Sequence, residues 1–298
     1  MLPSERLKGI EAFVAAADLG SFTAAAERLN LTTSAVSKSV GRLEARLDSR
    51  LFERTTRRLA LTSEGAAFYA TCSRVLSDLA EAEAVLASHG SEPVGRLKVD
   101  LPIAFGRLRV MPLLLRLAEQ YPGLRPHVTF TDRYVDIIEE GIDVAVRIGL
   151  AQGRGDGLAQ RHLGTERRIF CAAPAYLARR GHPGNRDELL ALDRILYGRS
   201  DGTASGWRLD APEDRAASGR LVLGSAEAQV EAVKAGFGIA QLATWLIQHE
   251  LARGELVEVL PEFAIEGLPL HLVWPRSRQL SPKVDALLNL LTAELRID

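Results

Sequence analysis

Cysteine is scarce in this sequence, with only Cys72 and Cys171 among 298 residues. Two widely separated cysteines cannot form the disulfide framework of a small secreted domain. Neither has a second ligand nearby at the usual zinc-site spacing. We expect two reduced, packed thiols. A redox-sensing pair is the alternative, and it would require the two thiols to lie close together and to be reactive.

Long apolar runs are also missing. Near the N-terminus the longest is Phe13 to Ala17, which is too short for a signal peptide or a membrane-spanning helix. We therefore expect a cytoplasmic protein without membrane contacts. The hydrophobic content of 47% with 25% charged residues is typical of a folded globular chain.

Patterns that indicate enzymes or cofactors are weak. The six histidines form no pair at metal-ligand spacing on a helix, and the segment Gly153 to Gly157 does not match a phosphate-binding loop. A G-x-S-x-G pattern at Gly198 to Gly202 lacks the following helix that a hydrolase elbow needs. We expect no enzyme activity, no metal and no cofactor. An esterase using Ser200 is the enzyme alternative.

The stretch from Phe22 to Leu61 predicts a helix-turn-helix. Ser21 precedes an alanine-rich helical run to Leu29, and Thr32 caps a second helix that reaches about Leu47. One stripe of the second helix is apolar and should face the core. Its residues are Val36, Val40, Leu43 and Leu47.

The opposite stripe is small, polar and cationic, so it fits a DNA major groove without charge repulsion. It contains Thr33, Ser34, Ser37, Lys38 and Gly41. An ordinary amphipathic surface helix would show the same pattern. The basic sequence that follows favours the DNA-binding interpretation.

A basic, threonine-rich tip between two apolar segments predicts a small β-wing. Residues 31–60 have a net charge of +4, from seven basic and three acidic residues, although the whole chain has −1. Arginine and hydroxyl groups at such a tip bind phosphates, which gives affinity and register. We expect Thr33, Ser34, Ser37 and Lys38 to reach base edges. We expect phosphate contacts from Ser21, Arg42, Arg54, Arg57 and Arg58, with Thr32 and Thr55 on the same DNA-binding surface.

A long helix follows, capped by Thr62 or Ser63 and ending near Ser88. It has a heptad seam formed by Phe68, Cys72, Val75, Leu79, Ala82 and Leu86. A helix of roughly 26 residues spans about 39 Å, longer than a small domain needs for its own core. We expect this seam to pair with a second copy of the chain. Packing against its own domain is the alternative.

From Gly95 the pattern changes to alternating strands and helices, which predicts a parallel sheet covered by helices. The first group comprises strands 97–101, 126–131 and 142–148 with helices 105–120 and 134–140. The second comprises strands 168–173, 195–197, 220–223 and 238–242 with helices 174–179, 226–235 and 244–252. A final strand 268–274 and helix 281–295 are expected to return to the first group.

The pattern F-x-x-A-A-x-x-L-x-x-T-x-S-A-V-S-K, continuing through L-F-x-R-T-T-R-R-L to Gly65, resembles LysR-type transcriptional regulators. The segments 132–136, 140–149 and 235–239 resemble the effector domain of that family. The resemblance implies a multidomain fold. It consists of a winged helix-turn-helix (1–62), a linker or dimerisation helix (63–92), and a two-lobed α/β domain of the periplasmic-binding-protein type (93–298). Lobe I would comprise about 93–163 and 266–298, and lobe II about 164–265.

The resemblance also implies partners: an interrupted DNA palindrome, a small-molecule effector, RNA polymerase, and further copies of the chain as a homodimer or homotetramer. The effector would lie at the carboxyl ends of the strands, between the lobes. The expected residues are Pro102, Ile103, Ala104, Phe105, Thr131, Arg147, Gly149, Ser200, Ser225 and Ala226. Arg147 has a structural alternative, an ion pair with a carboxylate.

Ile103 and Ala104 stand where many members of the family have a hydroxyl group. This departure favours a more apolar effector or a weakly responsive protein. A small-molecule binding protein without specific DNA recognition is the alternative function.

Overall fold

The computed structural model describes residues 3–54, 59–87, 92–133, 135–149, 157–199, 201–209, 218–278, 281–295 and 297. The chain divides into two compact units, residues 1–91 and residues 92–298. Within the described residues, every helix is too short or too polar to cross a membrane.

The N-terminal unit is a winged helix-turn-helix followed by a long helix, as predicted. Its elements are α1 (Pro3–Leu19), α2 (Phe22–Arg28), α3 (Thr33–Leu47), β1 (Phe52–Arg54), β2 (Leu59–Leu61) and α4 (Ser63–Ala87). Helix α1 was not predicted. Its residues 12–16 are all buried, so the segment lacks the alternation of polar and apolar positions that reveals a helix at a surface.

Aromatic rings fill the centre of the N-terminal core. The ring of Phe13 lies 5.3 Å from Phe52 and 5.6 Å from Phe68, and Phe22 lies 5.5 Å from Phe52. The predicted stripe of α3 packs on this core through Val36, Val40 and Leu43. Leu47 was assigned wrongly, because it is 38% exposed. The helix ends there, at the left-handed residue Asp48.

The C-terminal unit contains a large mixed sheet with strand order β10-β6-β12-β5-β3-β4, and β11 also pairs with β6. Its strands are β3 (Gly95–Leu101), β4 (Leu124–Phe130), β5 (Val144–Ile148), β6 (Leu158–Ala172), β10 (Ala240–Ala243), β11 (Val257–Val259) and β12 (Ile265–Pro275). A smaller sheet contains β7 (Ile195–Gly198), β8 (Ala204–Ser205) and β9 (Leu221–Leu223). Strand β3 is parallel to β4 and β5, whereas β6, β10, β11 and β12 pair antiparallel.

Helices cover both sheets. They are α5 (Ile103–Phe105), α6 (Met111–Gln120), α7 (Pro174–Arg180), α8 (Arg186–Leu190), α9 (Ala226–Lys234), α10 (Thr244–Ala252) and α11 (Pro282–Glu294). A π-helical turn, Gly106–Val110, joins α5 to α6, and short 3₁₀ turns lie at Pro261–Phe263 and Arg276–Arg278.

Two long strands join the two lobes of this unit. Residues 158–168 of β6 pair with β12, and residues 168–172 pair with β10 and β11. The pairing of β6 with β12 is irregular between Glu266 and Pro269, and Gly164 pairs with Leu270 immediately beyond that bulge. The two lobes are therefore connected by paired backbone whose register shifts twice, between Glu266 and Pro269 and between Leu270 and His271.

Several sequence predictions for this unit were wrong. Residues 137–141 form turns where the helix 134–140 was expected, and the expected strand 142–148 begins at Val144. The expected strand 168–173 is only the end of the 15-residue strand β6. The sheet is mixed rather than parallel, because both long strands run antiparallel to their neighbours.

Candidate functional site

The outer face of α3 presents the polar residues that the sequence indicated. Thr32 caps the helix, since its Oγ1 accepts a hydrogen bond from the backbone N–H of Ala35 at 3.2 Å. Oγ1 of Thr32 also lies 3.2 Å from Oγ of Ser34. The exposed residues of this surface are Thr32, Thr33, Ser34, Ser37, Lys38 and Arg42. Ser34, Lys38 and Arg42 recur every four residues on the side opposite the buried stripe, and Thr32 and Thr33 lie at the N-terminus of the helix.

Glu44 is the acidic residue of α3, and its carboxylate is held by the hairpin. Its Oε1 accepts hydrogen bonds from the backbone N–H groups of Leu51 at 2.7 Å and Phe52 at 3.2 Å. These bonds fix the start of β1 relative to α3. Sequence analysis missed this positioning role, because the residues in contact are seven and eight positions apart.

Ser21 lies at the start of α2, where its Oγ accepts a hydrogen bond from Ala24 N at 3.3 Å. Its hydroxyl hydrogen remains a possible donor to a phosphate. The hairpin pairs Phe52 with Leu61 and Arg54 with Leu59. Thr55, Arg57 and Arg58 lie outside the described residues, as does the side chain of Arg54.

The base of the hairpin packs closely against the start of α4. Thr62 Oγ1 donates to Arg50 O at 2.7 Å and accepts from Gly65 N at 2.9 Å. A Cβ on Gly65 would lie 2.0 Å from Leu51 O, so this approach requires glycine. The predicted wing is thus anchored at its base by backbone contacts.

The predicted seam of α4 divides into two parts. Phe68 and Cys72 pack in the N-terminal core, whereas Val75 and Leu79 are 47% and 41% exposed. The side chains of Ala82 and Leu86 lie outside the described residues. The first part of the seam therefore packs on its own domain, which was the alternative to pairing with a second chain. The second part leaves apolar side chains exposed.

The C-terminal unit contains a cavity of about 770 Å³. Nine of the ten expected effector residues line it: Pro102, Ile103, Ala104, Phe105, Thr131, Arg147, Gly149, Ser225 and Ala226. Ser200 lies outside the described residues. The loops after β3, β4 and β5 meet the N-terminus of α9 here, because the carboxyl ends of parallel strands share one edge.

Arg147 is engaged in an ion pair with a buried aspartate. Its Nη1 lies 2.7 Å from Oδ1 of Asp100, and their side chains are 16% and 3% exposed. Nη1 also donates a hydrogen bond to Val146 O at 2.9 Å. The other nitrogen, Nη2, is enclosed without a hydrogen-bond partner in the described part of the chain. This geometry favours the structural alternative for Arg147.

Two other expected ligand groups are partly occupied by local hydrogen bonds. Ser225 caps α9, and its Oγ accepts from Ala228 N at 3.3 Å. The backbone N–H of Ile103 donates to Oδ1 of Asp132 at 3.0 Å. Both arrangements fix the cavity wall while using polar groups that a ligand would otherwise meet.

Sequence analysis missed a polar group of cavity residues from β6 and the second lobe. They are Glu166, Arg168, Tyr197, Arg199, Gln229 and Gln241. Burial and the charge of Asp132 raise the pKa of Tyr197, so its phenol stays protonated near neutral pH. Glu166 and Arg168 alternate with outward residues of β6, and that strand was only partly predicted from the sequence.

The two thiols lie in the cores of different units, Cys72 in the N-terminal unit and Cys171 in the C-terminal unit. Burial raises the pKa of each thiol. A raised pKa lowers the thiolate fraction and hence reactivity, which favours the interpretation as packed thiols.

Comparison with known proteins agrees with this geometry. Residues 7–66 match the model for bacterial regulatory helix-turn-helix proteins of the lysR family, and residues 90–296 match the LysR substrate binding domain. An uncharacterized HTH-type transcriptional regulator of Haemophilus influenzae is 33% identical over 282 residues, 94% of this chain and 97% of the relative.

Two further relatives cover most of the chain. The HTH-type transcriptional regulator DmlR of Escherichia coli is 34% identical over 260 residues, 86% of this chain and 84% of the relative. The structure of CrgA, a LysR-type transcriptional regulator from Neisseria meningitidis, is 31% identical with a TM-score of 0.61. That match covers 96% of this chain and 97% of CrgA. The chain therefore belongs to the LysR family of bacterial transcriptional regulators.

Proposed function

We propose that this regulator recognises its DNA sequence through the outer face of α3. Thr33, Ser34, Ser37 and Lys38 would contact base edges in the major groove. The observation that carries this proposal is that these four side chains are all exposed on α3. The helix is capped at its N-terminus, and its apolar stripe packs on the core. Hydroxyl and ammonium groups on such a face supply the donors and acceptors that distinguish base pairs.

Phosphate contacts would flank the base contacts. We assign them to Ser21, Thr32, Arg42, Arg54, Thr55, Arg57 and Arg58. Three observations support this assignment: Ser21 lies at the N-terminus of α2, Arg42 is exposed, and the sequence around the wing has a net positive charge. Such contacts provide affinity that falls with salt, and they orient α3 on the duplex.

A homodimer that joins two of these N-terminal units would recognise an interrupted palindrome. The exposed apolar residues Val75 and Leu79 of α4 support pairing through the second part of the seam. A homotetramer would need further contacts between C-terminal units.

The cavity in the C-terminal unit would bind the small-molecule effector. Its volume fits a small organic ligand, and the predicted residues of both lobes line it. The effector would change transcription by binding two arrangements of the protein with different affinity. The bound complex would contact RNA polymerase, and a DNA-binding regulator of this kind would work in the cytoplasm.

A selection from fragmented genomic DNA with the purified full-length protein, at physiological salt, tests the proposal. Enrichment of an interrupted palindrome is expected. Binding of all fragments alike would contradict specific recognition. It would favour the alternative of a small-molecule binding protein without specific DNA recognition.

A further inference from the structure

A buried carboxylate in the cavity lacks an ionic partner. Glu166 lies on β6, lines the cavity, and is 5% exposed. Its Oε2 accepts a hydrogen bond from Trp245 Nε1 at 3.1 Å, and its Oε1 accepts one from Leu268 N at 3.2 Å. Among the described residues, no Lys, Arg or His nitrogen lies within 4.0 Å of this carboxylate. Both of its hydrogen bonds come from neutral donors.

A carboxylate that accepts hydrogen bonds from two neutral donors is incompletely satisfied. Each carboxylate oxygen has a further lone pair, so Glu166 can accept additional hydrogen bonds. Burying a charge without an opposite charge is unfavourable, and buried charges in proteins are normally paired. A cation delivered by a ligand would supply the missing partner.

Two of the four arginines that line the cavity are committed to other groups. Arg147 is paired with Asp100 at 2.7 Å, and Arg168 donates to the backbone carbonyl of Gln241 at 2.8 Å. Arg168 is two residues from Glu166 on the same face of β6, yet it forms no ion pair with Glu166. The carboxylate therefore remains available to a ligand in the cavity.

The packing holds the carboxylate in place. A Cβ on Gly267 of β12 would lie 2.5 Å from Cγ of Glu166 and 2.8 Å from its Oε1. Only a residue without a side chain leaves room for Glu166 at this position. The indole of Trp245, which packs edge-on against Phe105 at 4.9 Å, fixes the other oxygen.

A second buried polar side chain lines the same cavity. Gln229 of α9 is 5% exposed and lies in the cavity wall. A neutral amide can both donate to and accept from a ligand. Two buried polar residues, Glu166 and Gln229, thus line a cavity whose other wall, at Ile103 to Phe105, is apolar.

We propose that Glu166 recognises a cationic group, a protonated amine or amidine, on the effector, with Gln229 binding an adjacent polar group. This inference rests on the proposed use of the cavity as the effector site. It selects amphipathic cations and disfavours simple carboxylic acids.

Three matched probes test the inference: 3-phenylpropylamine, 3-phenylpropan-1-ol and 3-phenylpropionate. They share one ring and differ in the charge of the terminal group. Their affinities for the full-length protein are measured by calorimetry. The panel is widened by thermal shift with further primary amines and amidines, each beside its alcohol and acid counterpart. We expect the cations to bind the wild type at least tenfold more tightly than their counterparts.

Glu166→Gln should remove this preference, because the side chain keeps its size and loses its charge. Glu166→Met is a second variant, and a melting curve shows that each variant is folded. Glu258→Gln is the matched control, since Glu258 pairs with Arg167 outside the cavity. It should keep the preference.

Two results would overturn the inference. One is that no cation in the panel stabilises the wild type, whether or not neutral or anionic compounds do. The other is a cation preference that persists in Glu166→Gln. A neutral or anionic compound that alters DNA binding would leave the proposed function intact. Cation binding that depends on Glu166 but does not change DNA binding would contradict the effector role and support the inference.

Discussion

The ion pair between Arg147 and Asp100 should be a structural support of the cavity wall. At 2.7 Å and an effective dielectric constant of about 20, the attraction is about 6 kcal/mol, most of which offsets desolvation of two buried groups. Arg147→Met would leave Asp100 buried, with a hydrogen bond from Thr129 at 2.5 Å as its remaining support. We expect the free energy of unfolding to fall by about 3–5 kcal/mol, the usual effect of removing one partner from a buried pair.

Urea denaturation followed by tryptophan fluorescence measures this loss in the relevant unit. All three tryptophans, Trp207, Trp245 and Trp274, lie in residues 92–298, so their emission reports the C-terminal unit. The exposed pair of Arg116 with Glu294 supplies a control. Arg116→Met should cost less than about 1 kcal/mol, because exposed ion pairs contribute little.

The double variant Asp100→Asn with Arg147→Met separates a structural role from ligand binding. It removes both charges, so it should recover at least half of the stability that Arg147→Met loses, and it should retain effector affinity. A loss for Arg147→Met no larger than that for Arg116→Met would refute the structural assignment. Loss of effector affinity in the stable double variant would instead make Arg147 a ligand group.

The remaining predictions concern DNA recognition, packing and pH. Lys38→Ala should reduce the preference for the selected palindrome over random DNA by about 1–3 kcal/mol, measured by competition binding, and equal weakening for both DNAs would contradict a base contact. Gly65→Ala should destabilise the N-terminal unit by about 1–3 kcal/mol in thermal denaturation followed by circular dichroism, because its Cβ meets the hairpin backbone. Gly41→Ala has open space, should raise helix stability by up to about 1 kcal/mol, and serves as the control. Burial and a neighbouring histidine lower the pKa of His271, so the unfolded state binds its proton more readily. Stability should therefore fall as pH decreases below about 6.5, and His271→Gln should lessen this fall in urea denaturation, whereas His182→Gln should not.

The helix-turn-helix was predictable because its signals are local. The capping hydroxyl of Thr32 and the four-residue spacing of Val36 and Val40 lie in one continuous stretch, and the basic cluster follows it directly. Helix α1 escaped prediction because it is buried along a full run of residues. The division of the α4 seam into a packed part and an exposed part could not be predicted either. Periodicity identifies an apolar helix face but not the surface that packs against it.

The cavity was only half predictable. The loops after β3 and β5 follow from the strand order, and topology alone assigned residues such as Ile103 and Gly149. Glu166 was missed because it belongs to a long, twisted strand with little alternation of polar and apolar residues, and its partners Trp245 and Leu268 are distant in sequence. Contacts of such long range depend on the complete fold.

The strands β6 and β12 form an antiparallel pair that links the two lobes of the C-terminal unit, and this pair resists bending. A lobe joined to its neighbour by two paired strands cannot swing freely, so opening and closing must bend or twist those strands. The pairing is irregular from Glu266 to His271, around Gly164, and such deformation should concentrate there. Ligand binding would then act against an elastic restoring force, and the stiffness of this irregular segment would set how far the lobes move for a given binding energy.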